Sequence, residues 1–358
     1  MKAHLQDLKR LRAGTYRDVS KGGLFLDRNE RVLPYSVETM NELASRLSKV
    51  HLSLYPEMEP FYRKLSDWLQ VPSDWIYVTE GVSGAIKSLL ETLTDPGENV
   101  VCPTPTFAMY PVYSQMFQLE YRTVGYKHHY ELDVEQLLAS IDEKTRIVFL
   151  PNPNMPISGT LDLDKIASIS EYCAKYKAYF VVDEVYYPFG GSTAIGLIED
   201  HKNMFVMRSF SKAFGLAGIR VGYLIGNKEE IDYVSRMRTG YETNSVSIEI
   251  SSFFIERYYL IEEYIQQVKE GFAYLKKELD CLGIEYNGGN DGNFIYVNFR
   301  DEQLCQKLVN GLREKKIYIR GGWPKPYETG VSISAAPKNI MESFFKEFSK
   351  VYLNILNQ

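Results

Sequence analysis

The chain has 358 residues, of which 45% are hydrophobic and 24% are charged, a composition typical of a folded globular protein and not of a disordered one. Its 41 Lys and Arg residues and 46 Asp and Glu residues give a formal net charge of −5. Because there is no basic excess to displace counterions, general binding to nucleic acid or to an anionic membrane is excluded.

The four cysteines and five histidines are dispersed along the chain. This spacing suits reduced thiols in a cytoplasmic protein better than disulfides, and it predicts no metal site. The N-terminal run MKAHLQDLKRLRAG is polar and basic, so we expect no signal peptide. No run approaches eighteen apolar residues, so we expect no membrane span.

The first half of the chain alternates short apolar runs with helical patterns. Residues 1–33 are predicted to form a polar arm that ends in a short strand, GGLFLD. Seven predicted strands follow: DWIYVTE, ENVVCPTP, LEYRTVGY, RIVFLPNP, AYFVVDEV, MFVMRSF and VGYLIGN. Helical patterns such as SGAIKSLLETL separate several of them. This order predicts a three-layer α/β/α domain over residues 34–245, with a mostly parallel seven-stranded sheet.

The pattern changes after Tyr241. Residues 245–282 read as one long helix, followed by the strand NFIYVNF, a helix over 303–314, the strands KIYIR and VSIS, and a last helix over 338–354. These elements predict a smaller α+β domain over residues 246–358. A cleft between two domains is a common place for a small-molecule site.

The most informative motif is SFSKAFGLAGIR, which begins at Ser209 directly after a predicted strand. Hydroxyl groups at Ser209 and Ser211 flank Lys212, and Arg220 follows eight residues after the lysine. Two hydroxyls and a guanidinium suit a phosphate dianion. Phenylalanines around Lys212 would lower the pKa of its amine by desolvation and favour the neutral nucleophile.

Four further motifs also stand at predicted strand ends, where parallel sheets bind ligands. VVDEVYY places Asp183 where it can share a proton with a heterocyclic nitrogen, and Tyr186 within reach of a ring hydroxyl. The others are the turn PNPNMPISG with Asn154, the run PTPTFAMY with Phe107 for stacking, and a helix start at Gly81, Val82 and Ser83 whose N–H groups suit an anion.

Together these motifs resemble the fold-type-I pyridoxal-phosphate (PLP) aminotransferases, most closely the histidinol-phosphate aminotransferase branch. The resemblance implies that Lys212 binds the PLP aldehyde and moves the proton at the substrate Cα. It implies that Asp183 keeps the pyridine nitrogen protonated, and that Tyr186 and Asn154 bond the ring oxygen. Phe107 would stack on the ring. The phosphate would be held by Gly81, Val82, Ser83, Ser209, Ser211 and Arg220.

The resemblance also extends to the substrates and to a second subunit. Asn29, Asn244 and Arg320 match positions that line the substrate pocket. Tyr55, in LYPEMEP, matches a tyrosine that reaches the neighbouring subunit's site. The expected partners are therefore a small-molecule amino donor, with glutamate favoured, a small and phosphorylated carbonyl acceptor, and a second copy of the chain in a homodimer with shared active sites.

Two positions depart from the family pattern. Met155 stands where relatives often have the asparagine that bonds the ring oxygen, which is why that role is assigned to Asn154. Ser332 stands where relatives have an arginine that clamps a carboxylate or phosphate. Either the acceptor is not an ordinary α-keto acid or the clamp has moved. Arg320 remains as one replacement, and Arg28, Arg31 or Lys325 could supply the charge from another direction.

Other functions remain open from the sequence. A PLP-dependent decarboxylase of a phosphorylated amino acid is the main alternative, because the sequence does not determine which Cα bond breaks. A non-catalytic module with the PLP fold is disfavoured by the intact Lys212, Asp183, Tyr186 and Arg220. A Rossmann nucleotide-binding enzyme is disfavoured because no G-x-G-x-x-G follows the first strand.

Overall fold

A computed structural model describes residues 3–6, 8, 19–190 and 192–357 of the chain. Most of the N-terminal run for which we expect no signal peptide lies outside these residues, as does much of the predicted arm. The helices of the described part are α1 (Val37–Leu47), α2 (Glu59–Leu69), α3 (Gly81–Leu93), α4 (Met109–Met116), α5 (Val134–Ala139), α6 (Leu163–Lys175), α7 (Lys228–Val234), α8 (Ser245–Glu256), α9 (Tyr259–Cys281), α10 (Glu302–Glu314) and α11 (Lys338–Leu356).

The strands are β1 (Leu24–Leu26), β2 (Ile76–Thr79), β3 (Asn99–Pro103), β4 (Glu120–Val124), β5 (Thr145–Pro151), β6 (Tyr179–Asp183), β7 (Met204–Ser209), β8 (Gly222–Gly226), β9 (Glu285–Gly288), β10 (Phe294–Asn298), β11 (Ile317–Ile319) and β12 (Gly330–Ser334). All seven strands predicted between Asp74 and Asn227 are present. No helix in the described ranges is both long enough and apolar enough to cross a membrane.

The seven predicted strands form one sheet in the order β2-β8-β7-β6-β5-β3-β4. Strand β8 runs antiparallel to its neighbours β2 and β7, and the remaining pairs are parallel. The central strands are buried along their whole length, as expected for a sheet covered on both faces. The predicted fold class, α/β with a mostly parallel seven-stranded sheet, is confirmed.

This topology brings several chain segments to one edge of the sheet. The carboxyl ends of β2, β3, β5, β6 and β7 point the same way, because β2 and β7 both run antiparallel to β8. Strand β8 enters from that edge, so the residues just before it also lie there. The motifs that follow or precede these strands therefore meet at a single edge.

The C-terminal part contains a three-stranded antiparallel sheet in the order β12-β10-β9. Strand β1 of the arm pairs in parallel with β11, so the arm joins the C-terminal elements instead of the large sheet. Helices α9 and α11 pack against this part with buried aliphatic and aromatic side chains. The division into domains at residues 33 and 245 stays a prediction.

The prediction of a single helix over residues 245–282 is wrong. The segment forms α8 and α9, which are separated by Arg257 and Tyr258. Residue 257 has φ −116° and ψ 40°, which lies outside the helical region and ends α8. The apolar side chains continue on both sides of the break, so their spacing carries no sign of it.

Candidate active site

A cavity of about 1390 Å³ opens at the carboxyl edge of the large sheet. Most of the residues predicted to bind the cofactor or to carry the chemistry line it, together with one predicted substrate residue: Val82, Ser83, Phe107, Asn154, Asp183, Tyr186, Ser209, Ser211, Lys212, Arg220 and Arg320. Five sequence-distant motifs thus contribute to one site. The cavity exceeds the usual volume of small-molecule pockets, which leaves room for a substrate beside a cofactor.

Lys212 lies in the loop that follows β7, and it is partly exposed to the cavity. Its Nζ donates a hydrogen bond to the backbone carbonyl of Arg28, at 2.8 Å. The same nitrogen lies 5.9 Å from the centroid of the Tyr186 ring. The amine is therefore directed between the arm and Tyr186.

Asp183 ends β6 and is 3% exposed. Its Oδ2 accepts a hydrogen bond from the Tyr110 hydroxyl at 2.7 Å, and its Oδ1 accepts one from the Val185 backbone N–H at 3.0 Å. Burial raises the pKa of the Asp183 carboxyl to about 6, although both hydrogen bonds act in the opposite direction. A buried carboxylate of this kind is well suited to stabilise a positive charge placed beside it.

Tyr110, which donates a hydrogen bond to Asp183, was missed by the sequence analysis. It is 1% exposed, and its ring meets Phe107 edge to face at 6.3 Å. The only signal was its position three residues after Phe107 in PTPTFAMY. Its role depends on the order of β3, β5 and β6 in the sheet, which brings the segment after β3 to the end of β6 and which the sequence does not show.

An anion site lies where α3 begins. Helix α3 has thirteen residues, and Val82 and Ser83 in its first turn line the same cavity as Arg220. The unpaired N–H groups of a helix start suit an anion. Gly81 has φ +68°, and a Cβ atom there would stand 2.7 Å from Nη2 of Arg220. Glycine at this position thus allows the guanidinium to approach the helix start closely.

Two serines complete the anion site. The hydroxyl groups of Ser209 and Ser211 lie 2.9 Å apart, and the Ser211 backbone N–H donates to the Ser209 oxygen. With Arg220 and the start of α3, they form a set of hydroxyl, amide and guanidinium donors. All of these groups donate hydrogen bonds and can bind an anion, so the set fits the phosphate of PLP.

The amide of Asn154 is buried and fully engaged. Its Nδ2 donates to the Tyr126 hydroxyl at 2.6 Å and to the Pro105 carbonyl at 2.8 Å, while its Oδ1 accepts from the Thr106 hydroxyl at 2.7 Å. Both amide hydrogens are therefore occupied by the protein. The donation to a ring oxygen predicted for Asn154 requires one of these bonds to break.

On the substrate side of the cavity, Arg320 lies 4.2 Å from the Trp323 ring centroid. It forms a two-way backbone hydrogen-bonded bridge with Ser332, at 3.0 and 2.7 Å. Residues directly opposite each other in such a pair project to the same face. Ser332 itself is 2% exposed and is not among the residues that line the cavity.

The other predicted substrate residues and Tyr55 lie outside the cavity of a single chain. Asn29 is buried and reaches the hydroxyl of Tyr186. Asn244 caps α8, where its Oδ1 accepts from the Ser247 N–H at 2.9 Å. Tyr55 is 77% exposed and stacks on Tyr241 at 4.5 Å. The structure therefore brings only Arg320 of this group into the cavity.

Comparison with known proteins identifies the relatives of the chain. The sequence profile of the family described as "Aminotransferase class I and II" matches residues 21–338. A histidinol-phosphate aminotransferase from Caldanaerobacter subterraneus subsp. tengcongensis is 32% identical over 299 residues, which cover 83% of this chain and 82% of that protein.

Solved structures share the fold. Histidinol-phosphate aminotransferase from Sinorhizobium meliloti, solved in complex with PLP, superposes with a TM-score of 0.90 at 18% identity and covers 99% of this chain and 98% of its own. Cystalysin from Treponema denticola, which contains PLP, gives a TM-score of 0.83 at 15% identity and covers 98% and 97%. At these identities the likeness concerns the fold, and two differently named proteins share it.

Proposed function

The chain belongs to the class I and II aminotransferases, which use PLP, and within that family we propose that it transfers an amino group from glutamate to a small phosphorylated carbonyl compound, giving an amine of the histidinol-phosphate type and 2-oxoglutarate. The observation that carries this proposal is the convergence of Lys212, Asp183 and Arg220 on one cavity. These three residues suit the aldehyde, the pyridine nitrogen and the phosphate of PLP, respectively.

The residues divide the work as their positions suggest. PLP, when bound, withdraws electrons from the substrate Cα and so makes its proton acidic. Asp183 holds a proton on the pyridine nitrogen, because its buried carboxylate is stabilised by a cation beside it. Lys212 Nζ takes the proton from Cα and later returns one. Ser209, Ser211, Arg220 and the start of α3 hold the phosphate and fix the orientation of the ring.

Recognition of an anionic substrate group is assigned to Arg320. Its side chain lines the cavity, and its charge is close enough to Tyr186 to lower the pKa of that hydroxyl, against the larger raising effect of burial. It also follows β11 directly and forms an isolated bridge opposite Ser332 of β12. The side chains of residues 320 and 332 therefore project to the same face. The Arg320 guanidinium can take the place of the arginine that relatives have at position 332.

We also assign a homodimer with shared active sites. Leu52, Leu54 and Tyr55 are 80%, 65% and 77% exposed, and Tyr241 lies beside them. Large apolar side chains that are exposed together are typical of a surface that another chain covers. Sedimentation analysis of a Tyr55→Ala variant, in parallel with its cofactor affinity, tests this assignment; a monomeric wild-type protein with full activity would contradict it. The four free cysteines suit a cytoplasmic enzyme.

Transamination is reversible, so the reaction is tested in the reverse direction with purified enzyme, PLP, histidinol phosphate and 2-oxoglutarate, with glutamate as the measured product. We expect formation of glutamate, and loss of it in a Lys212→Ala variant that still folds. A scan of other amino donors and acceptors then defines the substrates. Release of carbon dioxide from a phosphorylated amino acid, without amino transfer, would favour the decarboxylase alternative and refute the proposal.

A further inference from the structure

Asn29 is held by the C-terminal sheet in one orientation. It is 2% exposed, with φ +54°. Its backbone N–H donates to the Ser334 hydroxyl at 2.8 Å, so the single hydroxyl hydrogen of Ser334 is free to donate to the Asn29 Oδ1, which lies 2.9 Å away. Asn293 Nδ2 in turn donates to the Asn29 carbonyl at 2.9 Å. These bonds define which end of the side-chain amide is oxygen and which is nitrogen.

The nitrogen end of that amide faces Tyr186. Asn29 Nδ2 lies 2.8 Å from the Tyr186 hydroxyl oxygen and 3.0 Å from the Met155 sulfur. An amide nitrogen only donates, so the Tyr186 oxygen accepts, and the thioether of Met155 has no hydrogen to offer in competition. The hydroxyl hydrogen of Tyr186 is therefore left to donate in another direction.

The open direction is the cavity. Tyr186 is 5% exposed, lines the cavity, and has Lys212 Nζ 5.9 Å from its ring centroid. Burial raises the pKa of Tyr186, so the hydroxyl keeps its hydrogen at neutral pH, while the bond from Asn29 lowers the pKa and strengthens the hydroxyl as a donor.

From this geometry we propose that Asn29 is a positioning residue that holds the Tyr186 hydroxyl hydrogen toward the ring oxygen of PLP. Ser334 on β12 fixes the Asn29 amide, so the C-terminal sheet sets the direction of a hydrogen bond in the cofactor site. The proposal rests on the proposed function, because it requires PLP in the cavity.

The test is a pH titration of the visible absorption of the enzyme with bound PLP. With PLP bound, the titrating proton is shared between the ring oxygen and the lysine nitrogen. A donor to the ring oxygen stabilises its negative charge, so it lowers the pKa of this shared proton. Without a fixed donor, the midpoint of the titration rises. Loss of one hydrogen bond predicts a rise of about 0.4 to 1 pH unit in Asn29→Ala. Asn29→Asp, whose carboxylate attracts the Tyr186 hydrogen, is expected to raise the midpoint further.

Two variants separate positioning from general damage. Ser334→Ala leaves the amide in place without its anchor, so we expect a smaller rise, and it serves if Asn29→Ala does not fold. Met155→Leu keeps the volume and removes only the sulfur, so we expect an unchanged midpoint.

A double variant decides whether Asn29 acts through the tyrosine. In a Tyr186→Phe background, Asn29→Ala is expected to cause no additional shift. An unchanged midpoint in Asn29→Ala, or an equal shift with and without the Tyr186 hydroxyl, would overturn the inference while the visible band remains. Absence of the band from the wild-type protein would instead refute the proposed function.

Discussion

Replacing Tyr110 with phenylalanine removes one hydroxyl group from beneath the cofactor site and leaves the rest of the site in place. The hydroxyl donates to Asp183 Oδ2 at 2.7 Å, and both residues are buried. The bond stabilises the ionised carboxylate, which burial disfavours. Phenylalanine fills nearly the same volume, so the change isolates the hydrogen bond.

The magnitude follows from the charge on the acceptor. A hydrogen bond to a charged group contributes about 1.5–3 kcal/mol, which equals about 1–2 pKa units. The variant should therefore raise the pKa of Asp183 from about 6 to about 7–8 in the cofactor-free protein. Because this is an acid whose pKa moves up, at least half of its carboxyl groups become neutral at pH 7, where the wild-type group is mostly ionised. A neutral carboxyl stabilises a pyridinium less.

The assay is the PLP dissociation constant between pH 5 and pH 8.5, measured by fluorescence quenching. We expect the affinity to weaken with falling pH in both proteins, but from a pH about 1–2 units higher in Tyr110→Phe. The PLP phosphate also titrates near pH 6, and an Asp183→Asn variant reports that contribution alone. If Tyr110→Phe shifts the profile equally in the Asp183→Asn background, the reasoning is refuted.

Three further changes test other parts of the site. Arg320→Gln should raise KM for the phosphorylated substrate by about tenfold or more, since it removes a charged donor; steady-state kinetics with unphosphorylated histidinol as the control checks this, and equal effects on both would contradict it. Ser332→Arg should lower the free energy of unfolding, because a buried arginine would stand opposite Arg320; a urea titration measures this, and a variant as stable as the wild-type protein would contradict it. Arg208→Leu leaves Glu184 buried without its ion-pair partner at 2.9 Å, so we expect the free energy of unfolding in urea to fall by about 3–5 kcal/mol. A variant as stable as the wild-type protein would show that this buried pair does not stabilise the fold.

Most strands of the large sheet could be predicted because they are almost entirely buried and read as largely apolar runs; the partly exposed edge strand β4 is the exception. Strand β9 escaped prediction because Glu285–Gly288 is polar and only half-buried, with no alternation to identify it. The break at Arg257 and Tyr258 was missed because the apolar helical pattern continues across it and no glycine or proline marks it. Local sequence thus identified the buried apolar strands, and it failed at a short polar strand and at a helix break that no glycine or proline marks.

The candidate site could be predicted as far as its residues follow strand ends, as Lys212 and Asp183 do. What the sequence could not show are contacts between segments far apart in the chain. Tyr110 lies 73 residues before Asp183, and Asn29 lies 157 residues before Tyr186. Such hydrogen bonds depend on the order of the strands and on where the arm packs, and no local spacing encodes that.

The central claim is that the Lys212 amine binds the PLP aldehyde. The most direct measurement is borohydride reduction of the enzyme with bound PLP, followed by proteolysis and mass spectrometry of the peptides. We predict that the pyridoxyl phosphate group is found on Lys212 in stoichiometric amount. Labelling of another lysine, or labelling scattered over exposed lysines with Lys212 unmodified, would contradict the account.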